Sequence, residues 1–189
     1  MVNVADATAL VAYPLATAIA SATWAALEWV IRKKPSVLGF CSGAVAGLVV
    51  ITPSCGFITP TSAVMVGVLA GAMPYFACTK LKSIFGYDDA LDTFGVHAVG
   101  GTLGAFLTGI FADPVANGNL TTNLKTVVGH TLWLEQLKAM GITIVMGVVA
   151  TVILGFLVKA VIGLRPTKEV EYAGLDWEEH GEPAYHNEA

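Results

Sequence analysis

"PSVLGFCSGAVAGLVVITPSCGFITPTSAVMVGVLAGAMPYFACT", residues Pro35–Thr79, contains no Asp, Glu, Lys, Arg or His. A soluble domain can bury one apolar helix, but a run of this length without an ionisable residue has no solvated face to offer. The surrounding chain agrees. Of 189 residues, 55% are apolar and 13% charged, against roughly 45 to 50% and about 25% in typical soluble domains. The reading is an all-α polytopic membrane protein.

A span needs roughly 20 mostly apolar residues. Five segments qualify: Thr8–Ile31, Val37–Pro53, Ser62–Lys80, Asp89–Ala112 and Leu134–Ile162. The second is short, which implies an upright helix or a locally thinned bilayer. The joints "RKKPS", "TPSCGFITPTS", "KLKSIFGYDD" and "ADPVANGNLTTN" carry the Pro, Gly, Asn and charged residues that interrupt apolar runs. Pro14 and Pro74 fall inside spans, where each removes a backbone donor and predicts a kink. Gly43/Gly47, Gly67/Gly71 and Gly100/Gly104 form small-xxx-small pairs that let backbones approach.

Basic residues assign direction. Arg32, Lys33 and Lys34 follow the first span, Lys80 and Lys82 the third, and Arg165 and Lys168 the fifth, whereas Lys125 alone occupies the other loops. Cytoplasmic loops are enriched in Lys and Arg, so the N-terminus is expected outside and the C-terminus in the cytoplasm. Two regions result: 1–164 in the membrane and 165–189 as an acidic cytoplasmic tail, with seven acids against two bases. The net charge of −4 comes from that tail, without which the chain would be +1. No basic patch suggests a nucleic-acid partner. "MVNVADATAL" lacks a basic n-region and cleavage site, so no removable signal peptide is expected. Cys41, Cys55 and Cys78 are scattered and read as packing residues.

The fourth span holds the candidate site. His97 lies near its middle, and an ionisable residue at bilayer depth is costly and ordinarily faces a bundle interior or a wet cavity. At helical spacing Thr93, Gly101 and Gly104 share its face, so Thr93 is a candidate neighbour on a pore wall. A neutral imidazole donates at one nitrogen and accepts at the other, which suits a small hydrogen-bonding permeant or a proton relay. A structural histidine bonding a neighbouring helix is the competing reading. No other ligand shares its depth at metal spacing, so neither metal nor cofactor is expected. Asp88, Asp89 and Asp92 precede the helix and are candidate N-terminal caps. Ser42 and Thr52 on the second span are candidate pore or interhelix contacts. Glu28 is placed to pair with the Arg32–Lys34 cluster, with Trp24 and Trp29 as interface anchors. No phosphate-binding loop of the GxxxxGK[ST] type occurs, and no enzymatic chemistry is expected.

"SGAVAGLVVITPSCGF", "GYDDALDTFGVHAVGGTLGAFLTGIFA" and "GLRPTKEVEYAGLDWEEHGEPAY" together resemble the ammonium transporter family (Amt/Mep/Rh), on its bacterial Amt side. The resemblance implies an eleven-helix fold with two inverted five-helix repeats, assembled as a homotrimer with one pore per protomer. This chain resembles its C-terminal half, from the seventh helix through the eleventh and the tail. His97 matches the second of the family's paired pore histidines, along which ammonia and a proton cross after ammonium loses a proton. The first six helices, the other pore histidine, the phenylalanine gate and the recruitment site have no counterpart here. His130, His180 and His186 lie outside the spans' interiors and do not replace them. The resemblance further implies a multi-pass protein of the inner (plasma) membrane. Its tail packs beneath the pores through Gly174, Asp176, His180 and Gly181, and PII-type signalling proteins can dock on the cytoplasmic face. The expected function is ammonium transport, incomplete in this chain alone. The alternatives are a non-transporting partner of full-length protomers and a Rh-type channel for another small neutral gas.

Overall fold

The structure, a computed structural model, describes residues 4–182. Tyr185, His186 and Glu188 lie outside the described residues. The chain divides into two units, Met1–Gly141 and Ile142–Ala189.

The first unit is built around α1, Val4–Arg32. Helix α2, Val37–Ile51, and helix α3, Pro60–Phe85, pack on it. Lipid tails are as apolar as Leu, so helices in a bilayer associate by close packing rather than by excluding water. The sequence supplies the means. Ala12, Ala16 and Ala20 recur every fourth residue on α1 and are fully buried. Glycines of the neighbours sit against them: a Cβ on Gly47 would meet the Thr17 Cα at 2.8 Å, and one on Gly71 would meet the Ala20 carbonyl at 2.6 Å. Both expected glycine pairs on α2 and α3 therefore serve backbone contact with α1.

Ser36 caps α2 by accepting from the Gly39 amide at 2.9 Å, and Thr59 caps α3 with Pro60 in its first turn. The first turn of α2 is tied to α1 by Glu28, which is only 3% exposed. Its carboxylate accepts from the Ser36 amide at 2.7 Å and the Ser36 hydroxyl at 2.9 Å, and pairs with Arg32 at 3.3 Å. A buried carboxylate is tolerated when donors compensate it, and here both of its oxygens accept hydrogen bonds. Trp24 is no interface anchor. It is buried, with its ring edge-on to Tyr75 at 5.4 Å, because its place on α1 faces α3. Trp29 is exposed.

Pro14 lies within α1 without ending it. Downstream of Pro74, α3 widens into a π-helical turn, Ala77–Leu81, and then closes at Gly86, whose φ of 62° is the left-handed cap. Helix α4, Phe94–Phe111, lies against α2 and α3; its first turn, Phe94–Val99, is also π-helical. The loops at the far ends of α2 and α4 are stitched together, with the Asp113 amide donating to the Phe57 carbonyl at 2.8 Å and the Asn117 amide side chain to the Gly56 carbonyl at 3.1 Å. That places the α2–α3 and post-α4 connections at one end, as an alternating path through a bilayer requires. A short helix α5, Asn119–Asn123, leads to α6, Leu132–Val161.

Among the described residues four helices, α1, α3, α4 and α6, are long and apolar enough to cross a membrane, and α2 is a shorter apolar helix of 15 residues. The five expected spans thus appear as four full-length helices and one short one.

The second unit contains the rest of α6, a turn, helix α7 at Lys168–Ala173 and a final π-helical turn α8 at Asp176–His180. Arg165 pairs with Glu171 at 3.4 Å. The described part of the tail is locally folded.

Candidate functional site

The site begins where α4 starts. Both oxygens of the Asp89 carboxylate cap it, accepting from the Thr93 amide at 2.8 Å and the Phe94 amide at 2.9 Å. These are the free amides that any helix start leaves unpaired, and a carboxylate there also complements the helix dipole. Of the three aspartates expected as caps, Asp89 alone caps. Asp92 has a left-handed φ of 55°, and its carboxylate turns away from the helix to accept from the Lys82 ammonium at 2.8 Å. Asp88 is exposed and makes no cap. Only one carboxylate can occupy the position facing the first amides, and the bend at Asp92 directs its own side chain toward α3.

Beyond the cap, α4 presents two faces. Val96, Gly100 and Gly104 are buried. A Cβ on Gly100 would meet Val50 at 3.3 Å, and one on Gly104 would overlap the Val50 carbonyl. Thr93 and His97 are exposed, and Gly101 has open space over its Cα. The expected stripe is corrected at one position: Gly104 belongs to the packed face. An unbroken α-helix would align residues 97 and 104, but the π-helical turn at Phe94–Val99 holds more residues per turn and rotates the residues before it relative to those after it. Within this chain His97 does not face the interior of the bundle. It stands on the side of α4 that α2 and α3 leave uncovered.

Ser42 and Thr52 are not brought to that face. Ser42 is half-buried on α2. Thr52 makes an interhelix contact, accepting from the Tyr13 hydroxyl at 3.1 Å while donating to the Leu48 carbonyl at 2.6 Å. Neither bonds His97 or Thr93. Among the described residues no group of three His, Cys, Asp or Glu could hold a metal ion.

In the tail, Gly174 and Gly181 both have left-handed φ, 103° and 69°. They bracket the α8 turn that carries Asp176 and His180. An open cavity of about 540 Å³ is lined by Leu164, Arg165, Leu175, Glu179 and His180 among others.

Sequence reasoning missed Lys82. It counted that residue only toward loop charge, yet the Lys82 ammonium donates both to Asp92 and, at 2.6 Å, to the Asp89 carbonyl. No helical spacing relates it to either partner, so periodicity could not find it. It also missed Tyr87, whose ring is edge-on to Phe94 at 5.2 Å and whose hydroxyl is buried without a hydrogen-bond partner among the described residues. Burial, then the nearby Asp89 charge, raises the Tyr87 pKa.

The family described as Ammonium Transporter Family matches residues 2–185. The ammonium transporter of Bacillus subtilis is 42% identical over 170 residues, covering 90% of this chain and 42% of that protein. That of Aquifex aeolicus is 41% identical over 186 residues, covering 97% and 42%. Crystalline Saccharomyces cerevisiae Mep2 superposes with a TM-score of 0.75 at 31% identity, over 87% of this chain and 39% of Mep2. A structure titled Sensor Amt Protein gives 0.73 at 27% identity, over 94% and 43%. The chain spans about two fifths of the length of the curated relatives it matches. The family is one of membrane transporters rather than enzymes. From sequence, fold and apolar helices together, this chain is a multi-pass membrane protein and belongs to the ammonium transporter family.

Proposed function

We propose that this chain forms the C-terminal half of an ammonium-conducting pore, with His97 and Thr93 on the pore wall, and that it does not transport alone. The observation that carries this reading is the exposure of His97 on the face of α4 left free by α2 and α3. His97 stands in the first turn of α4, three residues beyond Phe94 rather than near mid-span as expected, yet an ionisable side chain on a membrane-crossing helix is still costly against lipid, so that face calls for a covering element. The relatives supply one by length, since more than half of each lies outside the match. Once covered, Thr93, His97 and Gly101 would line a narrow path whose polar groups can hand ammonia and a proton along it.

Residues 1–164 are the membrane region and 165–189 the cytoplasmic tail, in the inner membrane. The assembled protein is a homotrimer. Gly174, Asp176, His180 and Gly181 shape the tail for contact beneath the pores, where a PII-type signalling protein docks.

The test is complementation. Expressed alone in cells lacking ammonium carriers, the chain should fail to restore growth on limiting ammonium. Fused behind the unmatched N-terminal part of the Bacillus subtilis transporter, it should restore growth. Rescue by the chain alone overturns its incompleteness; an inserted but inactive fusion overturns the transport reading.

A further inference from the structure

We propose that Lys82 is a positioning residue for His97, acting through Asp89 and Asp92. The proposal rests on the pore reading of His97 and goes beyond it.

Two π-helical turns face each other here. One, Ala77–Leu81, closes α3 and carries Cys78; the other, Phe94–Val99, opens α4 and carries His97. They touch so closely that a Cβ on Gly95 would overlap the Cys78 sulfur. Wide turns of this kind are rare and need neighbours to hold them. Immediately after the first of them, Lys82 sends its ammonium across the connection to the Asp92 carboxylate at 2.8 Å and the Asp89 carbonyl at 2.6 Å. Asp89 in turn counts where α4 begins, because its two oxygens take the Thr93 and Phe94 amides. Asp92 sits between them in the left-handed region, which a non-glycine residue holds only when its surroundings compensate.

The consequence for His97 is geometric. Each residue of a helix advances the side chain by about 100°, so a start displaced by one residue would swing His97 from the open face toward the face that packs on Val50. Gly100 and Gly104 anchor the later turns, and the slack can only be taken up in the π-helical turn. Lys82, by fixing both aspartates, sets how much slack that turn holds. It need not touch the permeant to do this.

The experiment uses the whole chain in lipid nanodiscs, with residue-resolved amide exchange and ¹⁵N signals of the His97 ring. Lys82→Met and, as the milder change, Asp92→Asn should speed exchange at the Thr93 and Phe94 amides by roughly tenfold, leave α2 amides unchanged, and shift or broaden the His97 signals. Lys82→Arg should return both toward the parent. Unchanged exchange at Thr93 and Phe94 overturns the brace. Faster exchange with unmoved His97 signals overturns the positioning role and leaves Lys82 as a fold contact. Neither readout depends on transport, so a failure of the pore reading would appear separately, as His97→Leu leaving uptake by the fusion intact.

Discussion

Gly104 of α4 rests directly on the carbonyl of Val50 in α2, so close that no side chain fits between the two backbones. Gly101, one residue short of a turn away, faces open space. The pair offers a direct comparison. Gly104→Leu should destabilise the helix bundle by about 1 to 3 kcal/mol, the usual cost of overfilling a packed interior, read as a lowered unfolding temperature in detergent. Gly101→Ala should leave it nearly unchanged. Equal effects at the two positions would contradict the two-faced description of α4.

Glu28 joins α1 to the start of α2. Glu28→Ala removes the acceptor of the Ser36 amide and hydroxyl and should cost about 1 to 3 kcal/mol, the scale of hydrogen bonds to a charged acceptor. Arg32→Ala should cost less than about 1 kcal/mol, since the Arg32 side chain is 62% exposed and water screens its charge. Chemical denaturation of both variants measures the order, and a larger loss for Arg32→Ala would reverse the assignment.

Tyr87 lies in the connection before α4, and its pKa is raised by burial and by Asp89. The folded chain therefore holds the phenol proton more tightly than the unfolded chain does. The contribution to stability is complete below the ordinary value of 10.0 and is lost as pH rises from there through the folded pKa. Ultraviolet titration should show one tyrosine ionising late. Tyr87→Phe should remove that component and should not destabilise the fold, since the hydroxyl has no partner among the described residues to lose. A clear loss of stability in Tyr87→Phe would mean the hydroxyl is in fact bonded.

His97 is exposed within this chain, so His97→Leu should leave insertion and unfolding temperature close to the parent. In the completed fusion the same change should lower or uncouple proton movement by at least about tenfold, the scale of losing one positioned acid–base group. Electrogenic uptake measured in proteoliposomes checks it, and unaltered current would remove the relay role.

Gly174 holds a φ of 103°, and a Cβ there would meet the Asp176 carboxylate at 2.7 Å. Gly174→Ala should loosen the Asp176–His180 turn at a cost of about 1 to 3 kcal/mol, seen as faster proteolysis within the tail while α1 to α4 stay protected. An unchanged cleavage rate would show that the turn tolerates a side chain.

The amino-acid sequence by itself determined that this chain crosses a bilayer, roughly where it does so, and that its small residues meet across helices. Those features depend on composition and on spacing along one helix, which are local and additive. That an aspartate caps α4 was legible from the cluster ahead of it, but not which one, since Asp89 reaches the first amides from five residues before Phe94 while the nearer Asp92 turns away. Only the tertiary structure decided that Asp92 turns to Lys82, that Trp24 is core, and that Gly104 leaves the face of His97. Each of these depends on a contact between separate elements or on the extra residue in a π-helical turn, and a periodicity drawn at 3.6 residues per turn carries neither.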